Sequence, residues 1–258
     1  MKRSSKKSPL KLAPLRVPGQ SIDAQLDDLR YDEMLSPILL AGLMVLTAML
    51  EWLRYFTDSK LNPLPFTIVA IMAIGYAIFR VRRGDARAQQ LKLGRSGERA
   101  VGQYLEWFRT KGFFVFHDVP NGDANIDHLL IGTRGIYTIE TKTISKPARG
   151  DAHVLVKDGK ILADGYLIER DPIVQAKAQA RWVHNFLAQS QFKAFVQPVV
   201  VFPGWFVEPF DMKAVGVWVL EPKALDKFIE NEAEALTHDE VRAMASALAS
   251  YIRSQSNL

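Results

Sequence analysis

NIDHLLIGTRGIYTIETK, residues 125–142, is the stretch on which the reading of this chain turns. Two runs rich in β-branched and aromatic residues, Ile126 to Ile131 and Ile136 to Thr141, flank Gly132-Thr133-Arg134-Gly135, which reads as a hairpin turn. A turn centred between Thr133 and Arg134 places Ile131 opposite Ile136 and, further along, Asp127 opposite Glu140. Leu129, Ile131 and Ile136 share the face of these carboxylates, while Ile126, Leu130, Tyr137 and Ile139 occupy the other. Both faces are therefore apolar enough to be buried, which predicts a hairpin in the middle of a sheet.

Two carboxylates with Cβ atoms roughly 5 Å apart repel by about 3 kcal/mol at an effective dielectric near 20, and nothing within the two strands offsets this. Lys142 lies two residues beyond Glu140, so strand alternation sets it on the same face. Acid, acid and amine on one buried face point to a hard divalent cation held by oxygen ligands and leaning on a substrate phosphate. A solvated surface hairpin with a weak ion pair can carry the same triplet.

Asp127, a glycine-containing hairpin and then Glu140-Thr141-Lys142 resemble the D…(D/E)xK signature of the PD-(D/E)xK nucleases. With Gly94-Arg95-Ser96-Gly97-Glu98 upstream, then His117-Asp118-Val119 and Asn125-Ile126-Asp127-His128, the stretch from Gly94 to Pro203 resembles the nuclease-related domain, NERD. The resemblance implies an α/β fold of the restriction-endonuclease type, a mixed sheet flanked by helices. It also implies a phosphodiesterase in which Asp127 and Glu140 hold Mg²⁺ or Mn²⁺, with the Thr141 carbonyl as a further ligand. Lys142 would orient or help deprotonate the attacking water, and Glu98 would assist the metal or the water. Gln175 matches the glutamine that often lines the site from the helix after the ExK strand.

The surrounding chain sets limits. No cysteine is present, which removes disulfides, thiolate zinc sites and cysteine nucleophiles, and the five histidines form no HExxH pair. No phosphate-cradling GxxxxGK[ST] loop occurs, so ATP hydrolysis is not expected. A formal charge of +5 favours anionic partners.

Residues 1–33 read as a flexible basic arm, opening with Lys2-Arg3-Ser4-Ser5-Lys6-Lys7 and showing no regular apolar period up to Arg30. Leu35 to Leu50, continuing through Trp52, Tyr55 and Phe56, and the uncharged run from Leu61 to Phe79 are each long enough to cross a bilayer, which takes about 20 residues. Residues 34–80 thus read as a two-helix transmembrane hairpin and 81–93 as a basic juxtamembrane linker, ahead of a domain over 94–258. Arg80, Arg82 and Arg83 after the second run, and the lysines near the start, put both termini and the nuclease-like domain in the cytoplasm by the positive-inside rule.

Ser96 reads as the cap of a helix to about Lys111, with Val101, Leu105 and Phe108 as its inward stripe and Glu98 on it. Phe113 to Val119 comes next as a strand and Pro120-Asn121-Gly122-Asp123 as a turn. Lys146, Pro147, Arg149 and Gly150 suggest a loop, and Asp158-Gly159 the turn of a small hairpin. Asp171-Pro172 opens a helix to about Ala188 that holds Gln175, Gln179 and Arg181. Val199 to Phe202 and Ala214 to Leu220 read as strands, and Thr237-His238-Asp239-Glu240 as a capping box for a final helix.

The function expected is a membrane-anchored, metal-dependent nuclease, acting on DNA in preference to RNA, as a homodimer or with a DNA-processing partner. A membrane-tethered nucleic-acid-binding module with a nuclease-like fold and little turnover is the alternative, and an adaptor recruited through the basic arm a third. His117 and His128 are assigned no chemistry.

Overall fold

In the computed structural model, residues 14–57, 62–122, 124–146, 152–168 and 170–255 are described. The lysines of the basic arm, Asp58 and Lys60 of the hairpin loop, Asp123, and Pro147, Arg149 and Gly150 lie outside them. The chain divides into two compact units: one is Ser21–Leu93, the other Gly94–Leu258 together with the residues up to Gln20.

The first unit is helical. Helix α1 (Gln20–Asp28) passes through a wider π turn (Leu29–Leu35) into α2 (Ser36–Phe56), and α3 (Leu64–Leu105) comes after it. The irregular arm expected up to Arg30 is thus helical from Gln20 onward. The reason is a short apolar stripe, Ile22, Leu26 and Leu29, which buries itself with Ala88 and Leu91. Along α2 and residues 64–79 of α3 the buried side chains are Pro37, Ala41, Ala48, Ala70 and Ala77, while Leu39, Leu43, Leu46, Leu50, Ile68, Ile71, Met72 and Phe79 are exposed. Small residues let two helices approach closely where no hydrophobic effect drives them together. Trp52 Nε1 donates to Thr67 Oγ1 at 2.9 Å and ties the two helices together. Both helices are long and apolar enough to cross a membrane.

No helix starts at Ser96, which lies inside α3. Between Phe79 and Leu105 the sequence has no proline, and its six arginines with Ala, Gln and Leu carry the helix through four glycines, so nothing separates the second apolar run from the helical stretch after it. A 3₁₀ segment (Glu106–Lys111) ends that helix, with Gly112 in the left-handed conformation at φ +84°.

The second unit is built on a five-stranded sheet in the order β1 (Phe114–Pro120), β2 (Asn125–Gly132), β3 (Gly135–Thr141), β7 (Val196–Val201), β9 (Trp218–Leu220). The first three strands are antiparallel, and β3, β7 and β9 run parallel. The expected register holds, with Ile131 paired to Ile136 and His128 to Ile139 across a two-residue turn. β3 is the central strand. Between β4 (His153–Lys157), β5 (Lys160–Ala163), β6 (Tyr166–Leu167) and β8 (Phe206–Val207) a small second sheet forms.

Helix α4 (Pro172–Gln189) makes the crossover from β3 to β7, capped by Asp171, whose carboxylate accepts from the Ile173 and Val174 amides. With the last helix, α7 (His238–Gln255), it covers one face of the main sheet: Ala180, Val183, Leu187, Val241, Met244 and Leu248 pack on Leu129, Ile131 and Ile136. On the other face Val101, Leu105 and Phe108 meet Leu130, Tyr137 and Ile139, joined by Leu225 and Ile229 of α6 (Leu225–Glu230). The inner face of the small sheet packs on Ile173, Ala176, Phe202 and Trp205.

The strands differ from the sequence reading in extent and in the face of one residue, β7 beginning at Val196 ahead of the expected Val199. Ala214 belongs to a short helix, α5 (Met212–Val215), because Asp211 caps it and Gly216 at φ +69° stops it, so β9 starts only at Trp218. Ile126 joins the face of Leu129 and not that of Leu130. Asp118, at φ +50°, interrupts the alternation between the His117–His128 and Val119–Ile126 pairs and turns the strand ends over.

Helix α7 is opened by the expected capping box: the Thr237 hydroxyl accepts from the Glu240 amide at 3.2 Å, and the Glu240 carboxylate accepts from the Thr237 amide at 2.8 Å. Thr237→Ala should lower the unfolding free energy by about 1 kcal/mol, read as a lower urea midpoint at unchanged slope.

Candidate functional site

The hairpin brings four polar residues to one end of the sheet. The β2–β3 ladder ends at the His128–Ile139 pair, and just beyond it Asp127 lies near enough to Glu140 to feel its charge, while the Asp127 carboxylate accepts the Thr141 amide at 2.7 Å. Lys142 Nζ donates to Glu140 Oε1 at 2.7 Å and to Gln175 Oε1 at 2.9 Å. Gln179, one turn further along α4, donates from Nε2 to Glu140 Oε2 at 2.6 Å. Thr141 Oγ1 is buried without a hydrogen-bond partner.

The repulsion between the two carboxylates is therefore partly offset by neighbouring side chains, unlike in the strands alone. Lys142 and Gln179 occupy both oxygens of Glu140. Gln179 went unassigned to the site in the sequence, though its spacing of four from Gln175 puts both amides on one face of a helix. Asp118 is the other residue missed: it is 2% exposed, pairs with Arg16 at 3.3 Å, and sits opposite Asp127 where the β1–β2 ladder is interrupted.

Glu98 arrives from α3. A Cβ at Gly97 would stand 1.7 Å from Thr143 Oγ1, so only glycine lets the helix lie against the segment just past Lys142. Burial, then the charges of Asp118 and Glu140, push the Glu98 carboxyl up to about 7, against the opposing pull of Lys142 and the Gly19 amide. Asp127 is held well above the usual carboxylate range by burial and by the charges of Glu140 and Glu98. Its side chain keeps partial solvent access.

Residues 93–203 match NERD, the nuclease-related domain. The NERD segment contains Glu98, Asp118, Asp127, Glu140, Lys142, Gln175 and Gln179. Comparison with curated proteins and with solved structures finds no match. The mixed sheet flanked by helices agrees with the architecture that the NERD resemblance implied. Among the described residues, no group of three or more His, Asp or Glu side chains is arranged to hold a metal ion.

The two histidines lie on the opposite face of the strands. His117 Nδ1 and His128 Nδ1 are 2.8 Å apart, and His117 Nε2 meets Glu106 Oε1 at 2.9 Å. Burial lowers the proton affinity of both, and that of His128 strongly. Neutral rings then relay from Glu106, leaving His128 Nε2 buried and without a partner.

The upward shifts of Glu98 and Asp127 mean that the folded domain binds protons that the unfolded chain releases. Their stabilising contribution is present below the ordinary carboxylate range and is lost as pH rises, for Glu98 from 4.5 to about 7. The neutral histidines act in the opposite direction, so the comparison that isolates Glu98 is with Glu98→Gln. In metal-free buffer, the melting temperature of Glu98→Gln relative to the wild type should climb as pH rises through this window.

Proposed function

We infer that this chain is a membrane-anchored, Mg²⁺- or Mn²⁺-dependent nuclease whose cytoplasmic domain hydrolyses phosphodiester bonds in nucleic acid, DNA in preference to RNA. The observation that carries the reading is the gathering of Asp127 and Glu140 beside Lys142 in a nuclease-related domain. The fit to a divalent cation rests on donor chemistry: the candidate ligands, the Asp127 and Glu140 carboxylates and the Thr141 carbonyl, are all oxygen, and burial and nearby carboxylate charge raise the proton affinity of Asp127 and Glu98. Asp127 and Glu140 would hold the ion, with the Thr141 carbonyl as a third donor. The ion would supply charge stabilisation to the phosphate and lower the proton affinity of a water.

Lys142 has the reach for two tasks. Its ammonium, now on Glu140 and Gln175, can orient the attacking water and steady the negative charge that develops on the phosphate. Gln175 fixes that ammonium, and Glu98, ionising near neutrality, can take or return a proton. One observation favours a nucleic-acid-binding module with little turnover: both Glu140 oxygens are already hydrogen-bonded, as they would be in a purely structural network.

Cleavage of a panel of DNA and RNA substrates by the full chain, with Mg²⁺ against EDTA, separates the two. Asp127→Ala and Glu140→Ala should each abolish cleavage, and Lys142→Ala should fail to cleave while still responding to Mg²⁺. An ion at about a hundred times its dissociation constant should stabilise the wild type by about 2.7 kcal/mol and these two carboxylate variants by almost nothing. Without metal, Asp127→Ala relieves repulsion. Glu140→Ala instead strands Lys142 and Gln179 and should melt lower. A wild type indifferent to Mg²⁺ would sink the nuclease reading.

The membrane reading is supported by the exposed leucines and isoleucines of α2 and α3 and by Arg80, Arg82 and Arg83 after the second apolar run. Lipid is the partner that such faces fit. The chain has no cysteine, so single cysteines report topology cleanly. In intact cells an impermeant thiol reagent should label Thr57→Cys and not Ser190→Cys, and the reverse pattern would refute the orientation.

A further inference from the structure

The segment just before α1 belongs with the domain that begins at Gly94, although the whole helical hairpin separates them in sequence. Three contacts seat it. Arg16 Nη1 lies 3.3 Å from Asp118 Oδ2, on a carboxylate that is almost wholly buried. The Gly19 amide donates to the Glu98 carboxylate. Pro18 rests on α3 so closely that a Cβ at Gly102 would come within 2.4 Å of its ring. Gly19 itself has φ +70°, and a side chain there would press on Arg95 at 3.2 Å and approach Glu98.

Each contact falls on the carboxylate cluster or on the helix that carries Glu98. A guanidinium on a buried carboxylate and an amide at the start of a helix are both donors suited to fixing a negative charge. We propose that residues 14–19 are a positioning strap for the nuclease-like site, with Arg16 holding Asp118 and Gly19 holding Glu98. The proposal rests on the nuclease reading for its consequence in catalysis and on the contacts themselves for its existence. The strap continues at Gln20 into α1, and Glu98 sits on the helix that returns from the hairpin. Both ends of the hairpin therefore feed side chains or amides into one cluster, and the domain cut out from Gly94 onward would lack two of that cluster's donors.

The test uses the full chain in detergent, with Arg16→Ala, Arg16→Lys and the wild type compared in three measurements. Hydrogen exchange at residues 15–20 and 95–99 should quicken about tenfold in Arg16→Ala, with the amides of β2 and β3 as protected as before. Mn²⁺ affinity should be unchanged or tighter, because a cation has been removed from an acidic cluster. Where the wild type cleaves, kcat should fall about tenfold or more with KM unchanged, as expected for losing a hydrogen bond to a buried charge, and Arg16→Lys should recover part of it. Unchanged exchange in Arg16→Ala would overturn the strap. Unchanged or raised kcat would overturn its positioning role, the rise by showing the segment to be an obstruction. A wild type that neither binds Mn²⁺ nor cleaves would count against the nuclease reading, while the exchange result would still decide whether the strap exists.

Discussion

Everything at this site depends on the pairing of β2 with β3. The two-residue turn at Thr133-Arg134 fixes one register, and that register sets Asp127 against Glu140 at the end of a sheet whose faces are both buried. A slip of one residue would send Leu129, Ile131 and Ile136 to the wrong layer, so the hydrophobic core holds the carboxylates together against their repulsion. Core burial of several large side chains outweighs a cost of about 3 kcal/mol.

The cost is managed by neighbours drawn from different parts of the chain. Lys142 and the Thr141 amide come from the same strand end, Gln175 and Gln179 from the first turns of α4, Glu98 from α3, and Asp118 with Arg16 from the interrupted edge of β1 and the segment before α1. The kink at Asp118 serves this assembly. By breaking the ladder beside Asp127 it frees that position from pairing, and it lets residues from both layers converge at one end of the sheet.

The helical hairpin answers to a different constraint. In α2 and the apolar run of α3, Ala41, Ala48, Ala70 and Ala77 are buried and the leucines and isoleucines are turned outward, the inverse of the nuclease-like domain, where Leu, Ile, Val and Phe fill three cores. One continuous helix, α3, carries the change from one pattern to the other.

The sequence by itself determined the hairpin and its register, the placing of Glu140 and Lys142 on one face of the strand end, the caps of α4 and α7, and the two apolar helices. These are local matters of alternation, turn chemistry and spacing, legible within about twenty residues. Only the tertiary structure decided the rest. Ser96 looked like a cap because capping is a local signal, whereas a helix already running from Leu64 simply continues through it. Gln179 carried no sign of its role because its partner lies 39 residues away. Asp118 gave no sign of its left-handed backbone, and Arg16, 102 residues from Asp118, sat in what read as an irregular arm. Long-range pairing of charged groups leaves no period in a sequence; it becomes visible only when the cores that are coded there have brought the strands and helices together.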